Sequence, residues 1–301
     1  MRRSYTVAGH RFSIFMDEND RLWNMTAQYE PFCAMGGPSP GNLFILQEVV
    51  ELPDYGTGAV PLYGHMELEP GEPRIEVYSI LGGYEFRFAT SPDGPVVGRM
   101  TCFESFHLGF FHVEECAGPS DALFVLNNSA MILYAMASAP LGTVLMHSSV
   151  TVKGGWAYMF LGVSGAGKST HGMMWRKAFG RRARLLNDDN PVVRTGDDGI
   201  PVAYGSPWSG KTPCYVNGSA PVRGFAHIVK APRNEAIPLS PFDAYLRMLP
   251  ACSCIWPVET LERCVSGTVE RICSAVPSIV LECLPDRDAA RVCEKALAVA
   301  P

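Results

Sequence analysis

The stretch that most restricts how this chain can fold is "LGVSGAGKST", residues 161 to 170. Its spacing is Gly162, four residues, then Gly167, Lys168 and Ser169. The preceding "WAYMFLG" is apolar and aromatic and reads as a buried strand. The following "THGMMWRKAFG" has no breaker before Gly180 and reads as a helix with that glycine near its C-cap. A glycine loop between strand and helix is the setting in which this motif carries meaning. Gly162, Gly165 and Gly167 can take positive φ without a Cβ penalty, so consecutive N–H groups can turn inward around an anion. The helix N-terminus adds partial positive charge. Lys168 is placed to reach the β- and γ-phosphates and the Ser169 hydroxyl to ligate Mg²⁺. Expected nucleotide contacts are therefore Gly162, Ser164, Gly165, Ala166, Gly167, Lys168, Ser169 and Thr170, with a nucleoside triphosphate and Mg²⁺ as the bound species.

The rest of the chain is organised around that loop. At 301 residues it is long enough for two domains. Hydrophobic residues at 47% and charged residues at 18% make it globular. A net charge of −5 argues against nucleic acid as a partner. Residues 1–120 carry short alternating or β-branched runs such as "YTVAGHRFSIF", "PRIEVYSI" and "YEFRFAT", separated by turns such as "MDEND", "LEPGEP" and "SPDG". That pattern predicts a small antiparallel β domain, followed by a nucleotide-binding domain over 121–301. The first part shows no cluster of titratable residues, and His107 and His112 read as packed or solvated strand residues. The N-terminus has no apolar run behind its arginines, so no signal peptide is expected. From Ala122 to Val152 no residue is charged, but Pro140 and Gly142 divide the stretch into pieces too short to span a bilayer. We read a buried helix and then a buried strand through "TVLMHSSVTV", hence no membrane. The ten cysteines sit singly in apolar runs apart from the close pair Cys252-Ser-Cys254, with no C-x-x-C, which suits reduced thiols in a cytoplasmic protein.

Past the loop helix, Ala183 to Leu186 read as a strand ending in Asn187, Asp188 and Asp189. The short connection places this strand beside the loop strand, with its acids near the γ-phosphate. One carboxylate can hold Mg²⁺ while the other takes a proton from an attacking hydroxyl. His147, at the end of a hairpin leading into the loop strand, is a third candidate. "YGSPWSGKTPCY" adds a second small-residue loop with Gly205, Ser209, Gly210, Lys211 and Thr212. Trp208 would anchor that loop against the core or against an acceptor. In the last segment Asp286 reads as an N-cap, and Ala289, Val292, Ala296 and Val299 as one packed helix face.

"MHSSVTVKGGWAYMFLGVSGAGKSTHGMMW", "LLNDDNPVV" and "GSPWSGKT" together resemble the HPr kinase/phosphorylase superfamily, and more narrowly the HPr-kinase-related proteins of anaerobic gut bacteria. Its nucleotide fold is shared with ATP-dependent phosphoenolpyruvate carboxykinase. The resemblance covers residues 120 to 301. It implies an α/β P-loop kinase domain of the HPr kinase/PEP carboxykinase type with a mixed central sheet. It also implies an ATP-dependent kinase transferring the γ-phosphate to a hydroxyl, chiefly of Ser or Thr in a protein or peptide. On the matching positions His147 and Asp188 would move the proton, and Asp189 and Ser169 would stand near the metal. The Glu-Arg-Gly signature of HPr kinases has no counterpart here, and "GSPWSGK" occupies the comparable stretch. Lys211 would take over part of the charge neutralisation. The acceptor therefore stays open among protein, peptide and small molecule. So do a homo-oligomeric state and the alternatives of a regulatory nucleotide-binding module or a small-molecule phosphotransferase.

Overall fold

The computed structural model describes residues 1–34, 41–53, 58–62, 72–196, 198–210 and 212–298. The chain divides into two compact units, Met1–Ala137 and Ser138–Pro301.

The first unit is built on an eight-stranded sheet. Its strands are β1 (Arg2–Val7), β2 (His10–Phe15), β3 (Phe44–Glu48), β4 (Val60–Pro61), β5 (Arg74–Ile80), β6 (Gly83–Ala89), β7 (Gly98–Phe103) and β8 (Leu108–Val113). Spatial order is β1-β2-β3-β8-β7-β6-β5-β4. Ala8 and Gly9 both take positive φ and close the β1–β2 hairpin, the two-residue geometry that matches strand twist. The antiparallel expectation needs correction: β3 runs parallel to both β2 and β8. A parallel neighbour needs a crossover, which residues 16–43 supply with two 3₁₀ turns at Arg21–Met25 and Ala27–Phe32. That crossover also gathers Asp17, Asp20 and Glu48, a titratable cluster absent from the sequence reading. Burial, and then Asp20, push the Glu48 carboxyl up to about 7. His112 is partly buried and His107 exposed, each ring facing a backbone carbonyl, His107 to Leu43 O at 2.7 Å and His112 to Val49 O at 3.3 Å.

Helix α1 (Pro119–Ser138) covers this sheet. An added Cβ on Gly98 or Gly109 would meet Val125 at 2.5 Å or Leu133 at 2.7 Å, so both glycines are what let the helix approach. The Tyr134 hydroxyl donates to Val7 O at 3.0 Å, and Gln28 and Tyr29 donate to Asn127 Oδ1. The helix therefore belongs with the first unit, where composition had placed it with the second. It is long and apolar enough to cross a membrane by length and composition, and 61% of its most apolar window is buried in the fold.

The second unit contains β9 (Thr143–Leu145), β10 (Ser148–Lys153), β11 (Trp156–Leu161), α2 (Lys168–Phe179), β12 (Ala183–Asp189), β13 (Val192–Thr195), β14 (Pro201–Tyr204) and β15 (Ser219–Lys230). After these come β16 (Glu235–Pro238), α3 (Pro241–Met248), α4 (Glu259–Ala275), β17 (Ser278–Cys283) and α5 (Arg287–Ala298). The strand expected through "TVLMHSSVTV" is interrupted at Met146 and His147, so β9 and β10 join different parts of the sheet. One stretch runs β12-β10-β11-β15, and the long β15 then serves two neighbours. Its first residues pair antiparallel with β14, and Phe225–Lys230 pair parallel with β17. The architecture is α/β with a mixed sheet. Tyr158, Phe160, Ala226, Ile228, Ile279 and Leu281 form one apolar face, packed against Trp175 of α2 and Ala289, Ala290, Cys293 and Leu297 of α5. The closing helix is thus turned from the expected face, with Val292 and Ala296 only partly buried and Val299 outside the described residues. Asp286 does cap it, accepting from Ala289 N at 2.9 Å. Helices α3 and α4 pack on each other and against β9, β13 and β17.

Candidate active site

Strand β11 is buried from Ala157 to Leu161 and leads directly into the glycine loop. Gly162, Gly165 and Gly167 have φ of 149°, 72° and 106°, values that favour glycine. At Gly162 the neighbours matter as well: a Cβ would stand 2.9 Å from Ala166 Cβ and 3.2 Å from Ile228 O. Gly167 is the N-cap of α2 and no side chain caps that helix, which leaves its first N–H groups for another acceptor. Ser164, Gly165 and Ser169 are exposed, and Ala166 and Thr170 half-buried. Lys168 folds back across the loop, its ammonium donating to Gly162 O at 2.9 Å and Val163 O at 3.3 Å. Burial holds its pKa below the ordinary lysine value, while Asp189 and Asp188 pull the other way. The lysine and both acids therefore share one electrostatic site.

The acids arrive by a different route from the one the sequence suggested. Strand β12 pairs with β10, not with the loop strand β11, so β10 lies between them. Its antiparallel run leaves β12 parallel to β11, and the acids still emerge at the end where the loop begins. Asp188 is 5% exposed. Asp189 has φ 151°, a conformation that costs a non-glycine residue of order 1–3 kcal/mol and tends to mark functional positions. His147 Nδ1 lies 3.1 Å from Asp189 Oδ1, and Asn190 Nδ2 donates to Asp189 Oδ2 at 2.8 Å. The break between β9 and β10 that carries His147 is pinned from two sides. Met146 N donates to Pro191 O at 3.1 Å, and His147 N to Ala251 O at 2.7 Å.

The second small-residue loop is tied to the same acids. Asn187 is fully buried and donates to Ser206 Oγ at 3.1 Å and Trp208 O at 3.3 Å. Ser206 in turn donates to Asn190 O at 2.6 Å. Gly210 N donates to Asp188 O at 2.8 Å, and a Cβ on Gly210 would stand 3.1 Å from both Cβ and Cγ of Asp189. A Cβ on Gly205 would fall 1.9 Å from Val216 O. These two glycines thus bring backbone against backbone and against the acid itself. Ser209 spends its hydroxyl on Thr212 O at 2.7 Å. Trp208 is 5% exposed and anchors the loop in the protein's own interior. Lys211 lies outside the described residues.

The sequence reading missed the two asparagines and Ser206 that brace the acid pair. Their signal was present, since a buried strand ending in "NDDN" has polar residues where β propensity disfavours them. Among the described residues, no three His, Cys, Asp or Glu converge to hold a metal by themselves. Mg²⁺ is commonly bound through one or two carboxylates together with substrate phosphates and waters, and an acid pair facing an uncapped loop helix fits that mode. Chemically the arrangement can neutralise an anion in the loop and accept a proton beside it. No protein-family model and no curated protein matches the chain. The likeness to HPr kinases therefore rests on the motif residues alone.

Proposed function

We propose that the second unit is an HPr-kinase-like ATP-dependent phosphotransferase, with a P-loop fold of the HPr kinase/PEP carboxykinase type. It would pass the γ-phosphate of Mg-ATP to a hydroxyl, chiefly a Ser or Thr of a protein or peptide. The observation that carries this reading is the position of Lys168: its ammonium stands at the mouth of a positive-φ glycine loop, in the field of both Asp188 and Asp189. A pure anion-binding loop has no need of two carboxylates, which repel phosphate unless they hold a cation or take a proton.

In this reading Gly162 to Thr170 cradle the phosphates and Lys168 leaves its loop carbonyls to offset charge on the transferred group. Asp188 accepts the acceptor's hydroxyl proton, that oxygen bonds to the γ-phosphorus, and the bond to the β–γ bridging oxygen breaks to release ADP. Asp189, held by His147 and Asn190, and Ser169 would hold Mg²⁺, which when bound would supply charge neutralisation on the phosphates. Lys211, next in sequence to Gly210, is the second cation. A reducing, cytoplasmic setting suits the ten cysteines, all of them free thiols.

The test is incubation with γ-labelled ATP, Mg²⁺ and lysate or peptide libraries, followed by mass spectrometry of phosphorylated products. Phosphoserine or phosphothreonine formed by the parent and lost in Asp188→Asn supports the reading. Calorimetry showing no affinity for Mg-ATP overturns it. Hydrolysis without any transferred phosphate would return the unit to a nucleotide-binding regulatory module.

A further inference from the structure

Buried polar atoms without partners are uncommon in folded proteins, and each one needs a reason. Among the described residues, three such side-chain oxygens lie on β10: Ser148 Oγ, Ser149 Oγ and Thr151 Oγ1. All three residues are at most 2% exposed. The ladder register gives two of them a meaning. Ser149 stands directly opposite Asp188, and Ser148 directly opposite Asp189. Directly opposed residues in an antiparallel pair project to the same face, with Cβ atoms about 4.5–5.5 Å apart.

The two pairs are not equivalent. Asp189 already receives Asn190 Nδ2 and faces His147, so it has little use for Ser148. Asp188 takes its bond from Gly210 N on its carbonyl oxygen, not on its carboxylate. Helix α2 lies over Ser149 and Thr151, because Gly172 leaves room there: a Cβ on it would stand 3.4 Å from Ser149 Oγ and 3.6 Å from Thr151 Oγ1. Ser149 thus sits beneath the helix that carries Lys168 and Ser169, across the ladder from an acid whose carboxylate has no side-chain donor among the described residues.

We propose that Ser149 is a positioning residue for Asp188, its hydroxyl turning to donate to the carboxylate when Mg-nucleotide fills the loop and fixing which oxygen faces the acceptor. A serine reaches either staggered well at little cost, and hydrogen bonds at catalytic groups commonly tighten only in the substrate complex. The inference rests on the reading of Asp188 as proton acceptor, and it adds the residue that orients it.

The experiment compares Ser149→Thr with Ser149→Val, two side chains of one shape that differ in the hydroxyl, with Thr151→Val as a buried-hydroxyl control opposite Leu185. In steady-state turnover of Mg-ATP, Ser149→Val should lower kcat about tenfold, the scale of one net hydrogen bond, with KM for ATP within about twofold of the parent. Ser149→Thr should restore most of kcat, and Thr151→Val should leave it near parental. Equal kcat in the threonine and valine variants overturns the proposal. A second readout needs no turnover: a structure of the parent with Mg²⁺ and a non-hydrolysable ATP analogue. Ser149 Oγ within hydrogen-bond distance of an Asp188 carboxylate oxygen supports the assignment, and a hydroxyl still without that contact overturns it. Asp188→Asn, assayed alongside, separates the two readings. Parental turnover in that variant removes the proton-acceptor role, while the analogue structure still decides the contact made by Ser149.

Discussion

The two units hold their buried groups on opposite terms. Of the twelve largest fully buried side chains among the described residues, nine belong to the first unit: Tyr5, Phe12, Tyr29, Phe32, Phe44, Phe86, Phe88, Phe111 and Tyr134. Phe12 stacks on Phe44 at 4.8 Å and meets Tyr134 edge-on. Of the seven buried side-chain polar atoms without partners among the described residues, five belong to the second unit, and three of those are on β10 alone. The strained Asp189 is there too. The first unit is thus chiefly a packed aromatic core, with Arg11 Nε and Ser129 Oγ as its two unpartnered atoms among the described residues. The second carries more of the exceptions: His227 and Ser278 are on β15 and β17, and the densest group is on β10, whose first residues stand opposite the acids of β12. Local violations that a stable fold sustains tend to mark chemistry.

The contrast can be broken most forcefully at the acids. Asp188→Asn should keep ATP bound and reduce turnover on the order of 10²–10⁴-fold, while Asp189→Asn should weaken the dependence on Mg²⁺. Equal and mild losses from both variants would return the pair to a structural turn, and a reversed pattern would exchange their roles. In the first unit the matching test is packing. Phe12→Ala should cost about 3–5 kcal/mol in denaturant unfolding, and a loss below about 1 kcal/mol would mean that its core is not what holds it. Next in size, Lys168→Ala should weaken Mg-ATP binding about 10–100-fold, the worth of charge-assisted contacts, with circular dichroism unchanged. Parental affinity in calorimetry would remove the loop from nucleotide binding.

The smallest effect, and the one that sharpens the comparison, is the response to pH. In the second unit burial lowers the pKa of His171 to about 4, and burial followed by the charge of Arg247 does the same to His227. Between pH 6.5 and about 4 the unfolded chain takes up protons that the folded unit refuses, so stability is lost as pH falls through that window. In the first unit Glu48 is raised from 4.5 to about 7. There the folded unit keeps a proton that the unfolded chain releases, so stability is lost as pH rises from 4.5 to 7. Probes on each unit should therefore drift in opposite directions. His171→Gln and His227→Gln should each remove part of the second drift and together flatten it, and Glu48→Gln should flatten the first. Parallel drifts in both units would show that neither the histidines nor Glu48 govern their own half.

Much of the site was legible because its determinants are local. Gly162, Gly165 and Gly167 take the positive φ their positions in the motif require, and Gly180 closes α2 in a conformation suited to glycine (φ 61°). Asp188 and Asp189 end a buried strand, as the apolar run ahead of them implied. What the sequence misjudged depended on who lies beside whom. It put β12 next to β11, because a short connection says that two strands are close and not whether a third passes between them. It read the first unit as antiparallel, since alternation reports one covered face and carries no strand direction. It assigned α1 by its place along the chain, whereas Tyr134, Asn127 and the two glycines beneath it fix where it packs.

By itself, then, the sequence determined the strand–loop–helix at 156–179, the acid-tipped strand after it, and the residue types able to hold a triphosphate. These follow from backbone freedom, periodicity and side-chain chemistry within a few residues of one another. Only the tertiary structure decided that His147 meets Asp189, that Gly210 closes on the same carboxylate, and that Ser149 stands opposite Asp188. Those are pairings between segments tens of residues apart, set by sheet order and register. A single-residue slip of β10 would turn every one of its side chains to the other face.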